Sequence, residues 1–285
     1  MTGIIINLPY TAAAVPPPLA KRLGLSPEDW QLEHWRLTDP CLAQIVREAA
    51  VYEGRDGGII RPVIAYPFSP VVADPWGLWA AELSEDQEEH PPGPAILPRT
   101  TAGRAISWTD KDRELIFGRT VEPFYRKIEE AAGALLGASP IILVLTLRSY
   151  GSNPFNFEKR RKYPRPQVAV GSTPVLTPDG LVNLAGDTFR ALRWWPELNW
   201  PHSGGACLPP SLTGNPRVRS MTRSLSRNLY MDERSGRLKE TSESAARILR
   251  TVFNLVDQEL GRVAEVRISR GLRTQKKSPI IKANR

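Results

Sequence analysis

The segment Ile141-Ile142-Leu143-Val144-Leu145 constrains this chain more than any other. Five consecutive branched apolar residues leave no polar face, so a strand built from them must be covered on both sides, as at the centre of a parallel sheet. The opening Ile4-Ile5-Ile6 has the same character, with Pro9 stopping the ladder, and predicts a second buried strand. Gly57-Gly58 leads into Ile59-Ile60-Arg61-Pro62-Val63-Ile64, read as one strand whose proline marks an edge or a bulge. Residues 167–170 and 217–229 read as further strands.

Helical spacing alternates with these runs. A short helix is expected over 19–23. Thr38 or Asp39 is placed to cap a second one, with Pro40 at its first position and Leu42, Ile45, Val46 and Ala49 on one face. Thr109-Asp110 opens a long helix carrying Leu115, Ile116, Tyr125, Ile128, Ala132, Leu135 and Leu136 on one side, with Pro123 as a kink. Residues 179–192 and 241–260 follow, the latter with Ala245, Ile248, Leu249, Val252, Leu255 and Val256 in register. This alternation predicts an α/β fold with a mostly parallel central sheet and helices on both faces.

Residues 66–108, rich in Pro, Trp and acidic side chains without a clear period, read as a long surface excursion of the kind that often carries function. Trp76, Trp79, Trp194, Trp195 and Trp200 line either the core or an interface, and the core is the preferred reading. With 285 residues, 41% of them hydrophobic and 24% charged, one large domain spanning 1–261 is expected.

The formal charge of +8 is concentrated in the tail 262–285, which holds eight Lys/Arg against Glu265 alone and reads as an extended segment that orders on a partner. A second basic stretch covers 217–239. A compact one, Lys159-Arg160-Arg161-Lys162 with Arg165, faces an acidic run at 82–89. Such blocks ordinarily form solvated surface. Phe155, Phe157 and Tyr163 interleave with the compact cluster, a mix suited to base stacking and phosphate contacts, so nucleic acid stays open as a partner beside an acidic protein. Neither Cys41 nor Cys207 lies in a Cys-x-x-Cys pair, which fits a reducing compartment. The first residues are too short an apolar stretch for a signal peptide or span, so a cytoplasmic protein with no membrane partner is expected.

Chemistry is harder to find. His34, His90 and His202 are the three histidines, and none has the His-x-x-x-His or His-x-x-Glu spacing that sets two ligands on one metal. His202 and Cys207 flank Ser203-Gly204-Gly205-Ala206 and, with Asp39, are weak zinc candidates; an ordinary loop histidine and a buried cysteine are the plainer reading. There is no Gly-x-Gly-x-x-Gly, Walker loop or Gly-x-Ser-x-Gly.

Several segments nevertheless fall in one order along most of the chain. Leu8-Pro9-Tyr10-Thr11-Ala12 with Val15-Pro16-Pro17, then Thr38-Asp39, then Arg61-Pro62-Val63-Ile64-Ala65-Tyr66-Pro67-Phe68 come first. Pro123-Phe124-Tyr125, Leu145-Thr146-Leu147-Arg148-Ser149 and Val170-Gly171-Ser172 follow. Residues 199–205 and Leu229-Tyr230-Met231-Asp232-Glu233 close the series. In this order they resemble the N-formylglutamate amidohydrolase family, whose members hydrolyse a formamide or related amide with a metal-activated water. Its first turn reads Pro-His-x-Gly, its central strand ends in Asp-x-His-Ser, and its Tyr-Met-Asp-Glu is the most specific of the matches.

The resemblance implies a zinc-exopeptidase-like (phosphorylase/hydrolase-like) architecture over 1–261. The departures share one meaning: Tyr10, Ala65, Tyr125, Arg148 and Ser224 each stand where the family has a metal ligand or proton carrier. An always-charged guanidinium at 148 repels a divalent cation that a neutral imidazole would bind. The reading that follows is a pseudoenzyme without a cofactor, a binding or scaffold subunit for a protein partner. Arg61, Arg148 and Ser149, with Lys159, Arg160, Arg161 and Lys162, would form its receptor for a carboxylate, a phosphate or an acidic segment. The alternative is an active zinc amidohydrolase for N-formyl or N-acyl amino acids with ligands rearranged among Asp39, His34, His202 and Cys207.

Overall fold

The continuous apolar run becomes β5 (Ile142–Tyr150), a nine-residue strand buried along its whole length. It lies between β1 (Ile4–Leu8) and β8 (Val218–Ser226), parallel to both. The structure is a computed structural model that describes residues 3–54, 57–83, 94–202 and 208–275. With β4 (Val63–Ala65), β6 (Val168–Gly171) and β7 (Pro196–Leu198), the sheet has the order β4-β1-β5-β8-β6-β7. β4, β1, β5 and β8 run parallel, whereas β6 is antiparallel to β8 and carries β7 parallel to itself. The architecture is therefore α/β with a mixed, mostly parallel sheet.

Both faces are covered. On one, Ile4, Ile6, Leu8, Leu143, Leu145, Leu147, Met221 and Leu225 meet α3 (Leu42–Ala50), α7 (Asp179–Ala191) and α8 (Ser242–Gln275). On the other, Ile5, Ile64, Ile142, Val144 and Val218 meet Phe124, Tyr125, Ile128 and Ala132 of α6 (Glu122–Ala138). A third cluster, with Tyr10, Leu37, Val71, Trp79, Leu83 and Leu97, takes in α1 (Pro17–Leu23), α2 (Pro27–Leu37) and α4 (Leu78–Leu83).

Five expectations change here. The run 57–64 is two strands: Arg61-Pro62 ends β3 (Gly57–Ile60), which pairs with β2 (Val51–Gly54) as a separate hairpin, before β4 joins the main sheet. Proline cannot donate to a ladder, so the chain changes partner at that point. Asp39 is not a helix cap, because α3 starts at Leu42 after Cys41 in a left-handed conformation (φ 62°) and the Asp39 carboxylate is engaged elsewhere. α2 was not foreseen, although Ser26 caps it and Pro27 occupies its first position.

The stretch 66–83 with residues 94–97 is not an outer excursion: Tyr66, Val71, Val72, Trp76, Trp79, Ile96 and Leu97 are buried, while 84–93 lie outside the described set. Asp74 organises it, accepting from the Trp76, Trp79 and Ala80 amides and from the Tyr10 hydroxyl. Finally, α8 runs without interruption to Gln275, so the beginning of the tail is helical rather than extended; residues 276–285 lie outside the described set.

The long helix is built as α5 (Asp110–Ile116), a π-helical turn (Phe117–Val121) and α6. Thr109 and Asp112 form the reciprocal capping box that opens it. The π turn takes up the register just before Pro123, the position expected to kink the helix. Of the tryptophans, Trp76 and Trp79 are core residues and Trp194 stacks on Phe189, while Trp195 is 42% exposed, against the reading that placed it inside.

Candidate functional site

On the α6 side the sheet turns polar toward its carboxyl end. Alternation along the strands puts Asn7, Thr146, Arg148, Thr222 and Ser224 on one face, with Asn7 opposite Thr146, Thr146 opposite Thr222 and Arg148 opposite Ser224. Asn7 Nδ2 donates to Thr146 Oγ1 at 3.0 Å. Arg148, 4% exposed, makes one long contact to Ser224 Oγ (3.4 Å), and its Nε has no partner among the described residues. Burial of a guanidinium so thinly satisfied is unfavourable unless something else meets its charge.

His202, also 4% exposed, packs on Tyr150, two residues along the same face from Arg148, and lies within reach of the Arg148 charge. Its ring packs edge-on against Trp79 (centroids 5.8 Å apart) and Tyr150 (6.0 Å). Neither ring nitrogen has a hydrogen-bond partner among the described residues. Burial holds the imidazole well below its ordinary range, and the neighbouring cations Arg148, Arg165, Arg160 and Arg227 push it the same way. Arg165 lies over the Tyr150 ring at 5.8 Å and is ion-paired with Glu158.

Ser149 is the next residue of β5 and faces the other way, where its amide and hydroxyl both donate to Asp39 Oδ1 at 2.8 Å. Burial raises the Asp39 carboxyl to about 6, although Arg227, the Ser149 hydrogen bonds and Arg148 each act to lower it. Arg227 is fully buried and well satisfied: it donates to the carbonyls of Trp35 (2.9 Å) and Thr38 (2.6 Å), and its charge sits over the Trp35 ring. The Tyr-Met-Asp-Glu match is a brace here, because Glu233 accepts the Ser152 amide (2.9 Å) just past Gly151. A side chain at Gly151 would meet the Asn153 carbonyl at 2.9 Å, so the bend after β5 needs glycine.

The structure thus gathers Arg148, Ser224 and His202, with Ser149 and Asp39 across the strand. Tyr10 and Tyr125 both hold the Asp74–Trp76 turn, Tyr10 through Asp74 Oδ1 (2.8 Å) and Tyr125 through the Pro75 carbonyl (2.6 Å) with its ring stacked on Trp76. Ala65 packs on the α3 side. Arg61 does not belong to this cluster: it sits before β4, at the opposite end of the sheet, and gives two nitrogens to Asp257 (2.7 and 2.9 Å) and Asn254 (2.7 Å).

Lys159, Arg160, Arg161 and Lys162 are exposed and lie outside it. Their contacts run to the Glu82 carboxylate, the Asn199 and Glu158 carbonyls and the Trp200 ring. Phe155 and Phe157 stack on each other, and Phe157 packs against Trp79, so these two rings are engaged rather than free for bases. Cys207 and the Gly204-Gly205 pair fall outside the described residues.

Arg227, Arg165, Tyr150 and Trp79 were not foreseen as site residues. Trp79 gave no signal within its own segment, whereas Arg227 could have been suspected as a charge inside an otherwise strand-like run. Arg223 is another such charge, buried on the α7 side and pulled down to about 9 by desolvation.

The donor set does not fit zinc. Among the described residues no three His, Cys, Asp or Glu side chains converge, and His202 shares its space with guanidinium groups instead of carboxylates. What the arrangement presents is an excess of buried donors: among the described residues Arg148 Nε, Arg165 Nε and Trp79 Nε1 lack acceptors, and neither nitrogen of the neutral His202 ring has a partner.

The fold has solved counterparts. A crystal structure of N-formylglutamate amidohydrolase from Ralstonia eutropha JMP134 superposes with a TM-score of 0.71 at 19% identity, over 92% of this chain and 95% of that one. The chain has the fold of that amidohydrolase. A gene product from Agrobacterium tumefaciens superposes with a TM-score of 0.65 at 13% identity, covering 91% and 92% of the two chains. No protein-family description matches the sequence, and no curated protein is significantly similar to it. Among the described residues no helix is long and apolar enough to cross a membrane.

Proposed function

We propose that this chain uses the amidohydrolase fold for binding rather than hydrolysis, as a pseudoenzyme subunit whose altered pocket receives an anion. One observation carries the reading: among the described residues Arg148, buried at the end of the central strand, has a single 3.4 Å contact and an unpartnered Nε. A planar guanidinium in low dielectric selects a carboxylate or an oxyanion. The ligand is a small acid or an acidic side chain presented by a protein partner. The exposed Lys159–162 cluster and the basic tail would favour approach of such a partner. No cofactor is part of this reading.

Sulfate titration with a thermal-unfolding readout tests it. At a hundredfold excess over Kd, ligand linkage stabilises by about 2.7 kcal/mol, a rise of several degrees in Tm. Arg148→Glu should lose that rise. Arg148→Met, which removes the charge and keeps the volume, should lose it too while unfolding at the same temperature as wild type or higher without sulfate. Metal analysis and assays on N-formyl-L-glutamate complete the test. A stoichiometric metal whose chelation abolishes amide hydrolysis would show the protein to be an active enzyme and end the proposal.

A further inference from the structure

His202 adds a second property to this pocket, on the reading that the pocket is an anion receptor. A neutral imidazole carries one N–H and one lone pair, so one nitrogen would turn a lone pair toward any anion beside it. The charged groups facing the ring are Arg148 from β5, Arg160 and Arg165 from the loop after β5, and Arg227 from the turn after β8. Trp79 of α4 and Tyr150 cover it edge-on. Among the described residues the nearby carboxylates are committed, Glu158 to Arg165, Asp39 to Ser149, and Asp74 to the Tyr10 hydroxyl and the Trp76, Trp79 and Ala80 amides. Without a ligand, a proton on His202 would add one more buried cation to Arg148, Arg165 and Arg227, with the exposed Arg160 acting in the same direction.

We propose that His202 takes up a proton together with the anion, so that the pocket captures an acid equivalent, anion plus H⁺, rather than the anion alone. The bound anion supplies the negative charge the cluster lacks, and the protonated ring gives it two N–H donors in place of one. The surroundings agree: burial and the four arginines keep the empty-pocket ring neutral at pH 7, the starting point that uptake requires. By linkage, affinity then rises as pH falls, by up to tenfold per pH unit where the liganded ring is protonated and the empty one is not.

Sulfate is a suitable probe, since it stays a dianion across this range. Calorimetric titration at pH 6.5 in two buffers of different ionisation heat should show close to one proton taken up per sulfate bound. His202→Gln should bind sulfate more weakly at pH 6, with proton uptake near zero and little pH dependence. Long-range ¹H–¹⁵N spectra of the wild-type protein, which has three histidines, should show one ring passing from neutral to imidazolium on sulfate addition. That readout holds even if His202→Gln does not fold. Wild-type binding without proton uptake overturns the coupling and leaves the anion receptor standing. Uptake that persists in His202→Gln, or spectra in which no ring changes state, puts the proton elsewhere and also overturns it. Absence of sulfate binding at every pH removes the receptor itself.

Discussion

The two ends of the central sheet both hold buried or bracing arginines, and they treat them differently. At the amino end, Arg61 is ion-paired with Asp257 and hydrogen-bonded to Asn254, and Arg217 closes the end of α6 by donating to the carbonyls of Leu136 (2.6 Å), Ser139 (2.9 Å) and Pro140 (3.0 Å). At the carboxyl end, among the described residues, Arg148 has one long hydrogen bond and the His202 nitrogens none, with Asp39, its carboxyl raised to about 6, behind them. Charges at the first end are matched by the protein's own groups and serve the fold. At the second end a surplus of donors is left for something outside the chain. In open α/β sheets, ligands characteristically bind beyond the carboxyl ends of the strands.

Substitutions can break or sharpen that contrast. The largest effect should come from Arg61→Met, which leaves Asp257 without its ion-pair partner; breaking a buried pair from one side destabilises by about 4 kcal/mol. Urea unfolding checks this, and sulfate binding should be untouched. A loss of binding instead would mean that the two ends are not independent.

Asp39 comes next. Its folded-state carboxyl, at about 6, lies above the ordinary value of 3.8, so its contribution to stability is fully present below about pH 4 and is lost as pH rises through 6. Between pH 4 and pH 7 wild type should therefore lose about 2 kcal/mol relative to Asp39→Asn, which keeps an acceptor for Ser149 but does not titrate. A stability difference that stays flat across denaturant curves from pH 4 to 7 would show that the carboxyl end carries no such strain. The smallest effect belongs to Arg217→Ala at the exposed rim of the amino end, about 1 kcal/mol for lost helix-end hydrogen bonds. A Tm drop much larger than that of Arg61→Met would reverse the ranking.

The carboxyl-end site was legible only in pieces. Arg148 stood out because it stands where the resembled family has a histidine, and Ser149, Asp39 and His202 were each noticed separately. Nothing in the sequence indicated that Ser149 would bind Asp39 on one side of β5 while Arg148 and His202 met on the other. Arg61 was assigned to the same pocket because it matched a motif, yet it lies at the far end of the sheet, since parallel strands put the residue before β4 and the residues ending β5 on opposite edges.

By itself the sequence determined the local elements whose signal is periodic: the buried strands β1 and β5, the faces of α3, α6, α7 and α8, and the capping box at Thr109. Those follow from side-chain spacing along one segment, which neighbours cannot easily override. Only the tertiary structure decided that residues 66–83 would be core and that the aperiodic Trp79 would cover His202. It also decided which arginines find partners. Burial and charge matching depend on groups brought together from distant segments, and spacing within any one of them carries no record of it.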